Sequence, residues 1–318
     1  MNIVYASDDR FVPIMLCSIV SLIKKCDNLA FFILSDDIST KNEKKIRTLI
    51  EKNAHECNFI DISIYKDELG NRLNVSSSWP QIAFVRLYLE KILPLDIKKV
   101  LYLDCDTIAL EDISLLDEID MDNIAVAGSL DCMDINYKEK IGLLTNDNYF
   151  NSGVLLYNLE FIRKNCLSNK IEQLINERGK VFKYPDQDVI NVAFRGFMKI
   201  LPNKYNVISQ QLGFSYENYV TYRNSDVYYN KDEFVSSVDS ATIIHFTSGF
   251  GYSRPWYEKC DHPCADLFRQ YYVEVNGNME YWGTDNRSFI QRVVSRVYSC
   301  FPRLMMPVLR LLRYINNR

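Results

Sequence analysis

The chain has 318 residues, 47% apolar and 25% charged, a balance that excludes disordered, collagenous and coiled-coil classes and leaves ample material for a buried core. Its net charge of −4 gives no nucleic-acid footprint for the chain as a whole. That mean conceals an asymmetry: Asn286 to Arg318 holds seven arginines, no lysine and no acid, which leaves −11 on residues 1–285. Nine scattered cysteines, an odd number in so large a chain, read as reduced thiols of a cytoplasmic protein. Residues 11–23 carry no charge, but Asp8, Asp9 and Arg10 precede them, unlike the basic start of a signal peptide. The run is also too short to span a bilayer.

Asn2 to Ala6 is a short apolar run stopped by Ser7-Asp8-Asp9, as expected of a buried strand ending in a polar loop. Pro13 suits a first helical turn and predicts a helix to about Lys25. A second strand is expected over 30–34, then a charged helix capped by Ser39 with Ile46, Leu49 and Ile50 facing inward. The pattern predicts a third strand over 59–64 and a helix carrying Arg86 over 83–93. The strongest strand, 99–103, ends abruptly in Asp104-Cys105-Asp106. Further strands are expected over 125–128, 153–157 and 241–246, and helices over 160–178 and 186–194. Residues 209–240 are polar and Tyr-rich, and their pattern assigns no element. Strand alternating with helix predicts an α/β fold with a mostly parallel sheet covered on both faces. Ligands of such sheets sit beyond the carboxyl ends of the strands. GxGxxG and GxxxxGK[ST] are both absent, which removes the dinucleotide and P-loop signatures.

Asp104 and Asp106 close an apolar strand, and a period of two puts both side chains on one side while Cys105 faces the other. Two carboxylates aimed at one point repel unless a cation lies between them, and hard oxygen ligands suit Mg²⁺ or Mn²⁺. The plainer reading is an Asx turn that closes the strand. His245 also ends an apolar strand, and its convergence with the aspartates would tilt the choice toward Mn²⁺. Asp186-Gln187-Asp188 opens a helix, where acids serve as dipole partners or caps; with the amide between them they would also grip sugar hydroxyls. The loop from Ser248 to Arg254 offers backbone N–H groups and one guanidinium, chemistry suited to a diphosphate. Cys260-Asp261-His262-Pro263-Cys264 lacks the second ligand pair that a structural zinc site needs.

Read together, the segments IVYASDD (3–9), VLYLDCD (100–106), YFNSGVLL (149–156), DQD (186–188) and His245-Phe246 with Arg254-Pro255-Trp256 resemble, in order, the motifs of the family 8 glycosyltransferases, particularly the bacterial lipopolysaccharide galactosyltransferase type. The resemblance implies a GT-A fold, a UDP-sugar donor and transfer with retention of anomeric configuration. It implies that Ala6 and Asp8 hold the uridine, that Asp104, Cys105 and Asp106 line the donor, and that Asp104, Asp106 and His245 ligate Mn²⁺, with Mg²⁺ as the alternative. Arg86 would sit beside the donor. Asn151, Asp186, Gln187 and Asp188 would contact the transferred sugar, with Gln187 and Asp188 as the catalytic candidates. Gly249, Gly251 and Arg254 would approach the diphosphate, and Asp131 would touch donor or acceptor. Two features depart from the family: the loop after His245 is three residues longer with Arg254 in place of lysine, and Arg10 stands near the expected uracil. Gln187 is a poor nucleophile and Asp188 a better one, so front-face transfer and double displacement both stay open.

The tail reads separately. Phe289, Val293, Val297, Phe301, Leu304 and Val308 mingle with seven arginines, a composition suited to lying on an anionic bilayer; its alternative is packing of the apolar face on the acidic body. Pro302 and Pro307 are expected to break it into short helices. The sequence therefore predicts a GT-A catalytic domain over 1–258 and a basic, helical, membrane-associating region over 259–318. The expected function is Mn²⁺-dependent hexose transfer, galactose before glucose, from UDP to a lipopolysaccharide, lipid-linked or other cell-surface glycan acceptor. The expected place is the cytoplasm, at the inner face of the membrane. A glucosyltransferase of the same family and a non-catalytic sugar-nucleotide-binding protein are the alternatives.

Overall fold

The computed structural model describes residues 1–63, 65, 81–247 and 251–316, with the backbone alone for 303 and 311–316. β1 (Asn2–Asp8), α1 (Val12–Ile23), β2 (Ala30–Asp36), α2 (Thr40–Lys52) and β3 (Glu56–Asp61) alternate as the pattern predicts. Ser39 caps α2 by accepting the Asn42 N–H. β3 starts earlier than the predicted strand because its register with β2 runs from Ala30↔Glu56 to Ser35↔Asp61; Ile64 lies outside the described residues. Gln81–Tyr88 winds as a 3-10 helix before α3 (Leu89–Ile92), where the pattern predicts one α-helix. Each side chain there eclipses the third one on, and Arg86 Nε donates back to the Ala83 carbonyl.

β4 (Lys99–Leu103), β5 (Thr107–Ala109), β6 (Val126–Leu130), α4 (Ile135–Ile141) and β7 (Phe150–Asn158) follow. The single helix predicted over 160–178 is two, α5 (Leu159–Lys164) and α6 (Leu167–Arg178), because Cys166 between them adopts a left-handed backbone at φ 51°. Then come α7 (Pro185–Ala193), β8 (Met198–Ile200), β9 (Val207–Ile208), α8 (Tyr216–Arg223), α9 (Lys231–Asp239), β10 (Ile243–His245), α10 (Ala265–Asn276), α11 (Phe289–Cys300) and α12 (Pro302–Asn316). The unassigned Tyr-rich stretch is thus chiefly α8 and α9.

Seven strands form the main sheet in the order β3-β2-β1-β4-β7-β6-β8, with β7 antiparallel to both neighbours and every other pair parallel. The period-two alternation sends Val4, Phe32 and Tyr102 into one core and Ile3, Tyr5, Phe31 and Leu103 into the other. Helices therefore cover both faces, as near-continuous apolar strands require. A second sheet, β5-β10-β9, sits at the exit of β4. α10 packs on α1, and its Phe268 and Tyr272 share a buried cluster with Ile14, Ile244 and Trp256, so this core continues past residue 258.

A Ser288–Gln291 capping box starts α11. Pro302 opens α12, while Pro307 lies inside that helix without ending it. One side of the pair buries Tyr298, Met306 and Leu309 against Phe214, Tyr219 and Phe234. The other leaves Phe289, Ile290, Phe301 and Leu304 exposed. No helix among the described residues is long and apolar enough to cross a membrane.

Candidate active site

The chain turns sharply after β4. Asp104 N–H donates to the Gly153 carbonyl at 2.8 Å, which continues the β4–β7 ladder by one bond. The next residues turn into β5, whose partner β10 sets His245 opposite Thr107. Two strand ends from two sheets thereby bring Asp104, Asp106 and His245 together, with one ligand atom of each within 4.8 Å of the others. His245 Nε2 lies 3.2 Å from Asp106 Oδ1 and 3.6 Å from Asp104 Oδ2.

The surrounding bonds orient each of these atoms. His245 Nδ1 faces Asn206 Oδ1 at 3.1 Å, and Asn206 Nδ2 donates to Asn151 Oδ1 at 2.8 Å. The Asn206 oxygen can only accept, so Nδ1 carries a proton toward it, and Nε2 is the ring nitrogen that faces the two carboxylates. Arg86 is buried and donates to Asp104 Oδ1 (2.7 Å) and to Ser152, while its Nε lies 3.2 Å from Asp186 Oδ2. Burial works against the Arg86 charge, but Asp104 and Asp186 hold its pKa above the ordinary arginine value. It grips two acids of the site from behind. Burial likewise raises the Asp106 carboxyl, and His245 and Arg254 outweigh it, leaving the group below its usual range. Arg254 NH2 is 3.4 Å from Asp106 Oδ2, its plane lies over Trp256, and its buried Nε has no acceptor among the described residues.

Room for this cluster depends on Gly153. A Cβ there would lie 2.1 Å from His245 Cε1 and 2.8 Å from Asp104 Oδ2. Cys105 faces away from the cluster, although residues 105–106 form a turn and not the strand continuation from which the period of two is read. Its Sγ donates to the Ala6 carbonyl in the buried core, so it can offer a donor only its main chain. Ala6 and Asp8 lie at the carboxyl end of β1 beside β4; Asp8 Oδ1 accepts the Phe11 N–H and so fixes the entry to α1.

The other side of the cleft is the start of α7, which begins on Pro185. Asn191 docks this helix on β7 by accepting the Phe150 N–H and donating to the Phe150 carbonyl. Asp186 Oδ2 accepts from Ser152, whereas the buried Asp186 Oδ1 has no partner among the described residues. Burial raises the Asp186 carboxyl and Arg86 pulls it the other way. Gln187 Oε1 accepts the Ser152 N–H, and its Nε2 donates to Asp131 Oδ2 at 3.1 Å. Asp188 is fully buried: Tyr137 and Tyr149 each donate a hydroxyl to it at 2.5 Å, and the Tyr184 N–H adds a third bond. Burial pushes its carboxyl up to about 6, against those three donors.

Of the residues singled out from the sequence, Asp104, Asp106, His245, Arg254, Arg86, Asn151, Asp186, Gln187 and Asp131 thus join one connected network. Gly251 adopts φ +118°, a glycine conformation, and its carbonyl accepts from Arg287. Gly249 lies outside the described residues. Gly153, Ser152, Asn206, Asn191 and Arg223 escaped the sequence reading. The first two stand inside the YFNSGVLL segment and Asn191 inside the helix predicted over 186–194, but nothing local marks their roles; Asn206 and Arg223 sit in a turn and a helix that the pattern did not assign.

The model of the family described as glycosyl transferase family 8 matches residues 2–260. The lipopolysaccharide 1,2-glucosyltransferase of Escherichia coli K12 is 27% identical over 282 residues, spanning 85% of this chain and 76% of that protein. General stress protein A of Bacillus subtilis is 23% identical over 85% of this chain and 92% of its own. A solved structure of the galactosyltransferase LgtC with donor and acceptor sugar analogues superposes with a TM-score of 0.74 at 22% identity, covering 86% of this chain and 96% of that one. That likeness establishes the GT-A fold. With a family match that spans most of its length, the chain belongs to glycosyl transferase family 8.

Proposed function

We propose that the protein transfers a hexose from a UDP-sugar to a lipopolysaccharide or other cell-surface glycan, with retention and with a divalent cation. The observation that carries this reading is the cluster itself: His245 Nε2 and one oxygen each of Asp104 and Asp106 lie within 4.8 Å of one another, with Arg254 beside Asp106. Two hard oxygens and one imidazole suit Mn²⁺. Asp104, Asp106 and His245 would hold the ion, which supplies positive charge where the leaving diphosphate gains a second negative one. Arg254 donates to the same diphosphate and Asp186 Oδ1 accepts from a hydroxyl of the sugar. Both interactions strengthen as charge develops.

Asp188 serves as the buried anchor of α7. Its oxygens already accept three hydrogen bonds, so it would have to break two from tyrosines to attack the sugar. Gln187, an amide, stabilises rather than attacks. These contacts favour front-face transfer, in which the departing phosphate oxygen takes the acceptor hydroxyl's proton. Galactose is the donor sugar we expect; relatives named as glucosyltransferases make glucose the second reading.

The exposed apolar side of α11 and α12, where Phe289 and Leu304 are more than 70% exposed among arginines, supports attachment to an anionic membrane at the cytoplasmic face. Sedimentation with phosphatidylglycerol vesicles should be lost in Leu304→Glu; equal binding by the variant would remove that role. The activity test is UDP release by the purified protein with and without Mn²⁺, across UDP-galactose, UDP-glucose and their N-acetyl forms. Metal-dependent release from one sugar supports the reading and identifies the donor. Absence of UDP binding refutes it.

A further inference from the structure

Gln187 carries an amide whose two ends are alike in shape and opposite in chemistry. The Ser152 N–H can only donate, so it takes Oε1; an ionised Asp131 can only accept, so it takes Nε2. The orientation of the amide therefore depends on where the Asp131 carboxylate stands. The backbone of Asp131 is fixed just past β6 by its N–H bond to the Tyr149 carbonyl. Its side chain is fixed by Arg223, whose NH2 meets Asp131 Oδ1 at 2.5 Å. Arg223 Nε donates to the Cys132 carbonyl and NH1 reaches Gln210 Oε1 at 3.3 Å, so the planar fork spans the Asp131–Cys132 step.

This pair is well shielded, with side chains 11% and 9% exposed, where charges interact far more strongly than in water. Its carrier is anchored too. Arg223 is the last residue of α8, and Asn224 closes the helix in a left-handed conformation at φ 52°. The Asn224 carbonyl accepts the Ile135 N–H and its side chain donates to Asp134, which docks the helix end on the segment after Asp131. We infer that Arg223 is a positioning residue for the transfer step: it holds the Asp131 carboxylate, and Asp131 holds the Gln187 amide in one orientation. The inference rests on the proposed glycosyl transfer and adds a residue to its sugar side.

The test uses the full chain as wild type, Arg223→Gln, Arg223→Lys, Asp131→Asn and the Asp131→Asn/Arg223→Gln double variant. UDP-sugar turnover, donor dissociation constant and thermal midpoint are measured for each. Arg223→Gln should lower kcat roughly 10- to 100-fold, the size expected of a misplaced reacting group, with donor affinity within about threefold. In the Asp131→Asn background the same change should cost nothing further, since both act through one contact. Arg223→Lys keeps the charge without the fork and should fall between. Full kcat in Arg223→Gln overturns the inference, and so does an equal loss in both backgrounds. Should Arg223→Gln not fold, Arg223→Lys carries the test, and full kcat there overturns it. A wild type that releases no UDP from any sugar sinks the transfer reading and this inference with it; normal wild-type turnover with unaffected variants sinks the positioning role alone.

Discussion

Around Asp104, Asp106 and His245 the ligand atoms crowd together, with Arg86 and Arg254 to offset two carboxylates and one arginine nitrogen without an acceptor among the described residues. Around Gln187, by contrast, Asp131 is paired with Arg223, Asp188 receives two tyrosine hydroxyls, and both ends of the amide are bonded. This side, where we propose the sugar, is complete within the protein apart from Asp186 Oδ1, which has no partner among the described residues. On the cation side, so named for the ion we propose there, a bound cation would add to the charge of Arg86 and Arg254. Groups of the first kind contribute to stability and to placement, whereas groups of the second kind act once a ligand is bound.

The sharpest way to break that contrast is to remove one ligand atom from the cation side. Asp106→Asn should lower metal-dependent turnover by about 10³-fold, the several kcal/mol that a cation contributes to a developing charge. Its urea midpoint should stay within the range of an ordinary surface change. Gly153→Ala keeps every ligand yet drives a methyl group into His245 and Asp104, so it should weaken Mn²⁺ binding and turnover together. Near-normal turnover in either variant would remove the metal assignment.

A smaller effect, in stability, should follow on the sugar side. Tyr149→Phe strips one donor from a carboxylate that has no solvent to replace it. The expected cost is about 1–3 kcal/mol in chemical unfolding, the usual penalty for a buried group left without its partner. If Tyr149→Phe proved as stable as wild type while Asp106→Asn proved unstable, the division of labour between the two sides would be inverted.

What the sequence made legible follows the same division. Asp104, Asp106 and His245 each close an apolar strand, and a strand that stops on an acid or an imidazole is a strong local signal. The start of α7 was equally plain, because Asp186 and Asp188 are acids in a first helical turn. Gly153 needed the fold: nothing near it shows that a glycine is required for space until β10 brings His245 across from another sheet. Asn206 belongs to a short 3-10 turn, Asn203–Asn206, and Arg223 to a helix whose Tyr219 buries against Tyr298, Met306 and Leu309 of the remote tail. No window of local sequence contains that partner. The left-handed Cys166 that splits α5 from α6 carries no glycine to announce it.

The smallest predicted effect uses pH and sets one group from each region against the other. His262 is buried behind β10; its Nδ1 accepts the Cys264 N–H, so its Nε2 carries the proton toward Ser209 Oγ. Burial lowers its pKa to about 4, with Asp261 opposing in part. The unfolded chain, near 6.5, therefore binds more protons between those values, and this contribution to stability is complete above pH 6.5 and lost as pH falls toward 4. Asp188 has the opposite sign: its carboxyl, raised to about 6 by burial, binds a proton more readily in the folded state, so folding gains as pH falls through 6. Between pH 7 and 5.5 each amounts to about 1 kcal/mol, and in the wild type they nearly cancel. His262→Gln removes one arm of the balance. Relative to wild type, the variant should gain about 1 kcal/mol on acidification from pH 7 to 5.5, read from urea unfolding at the two pH values. A wild-type-like pH response in His262→Gln would mean that His262 titrates normally in the folded protein.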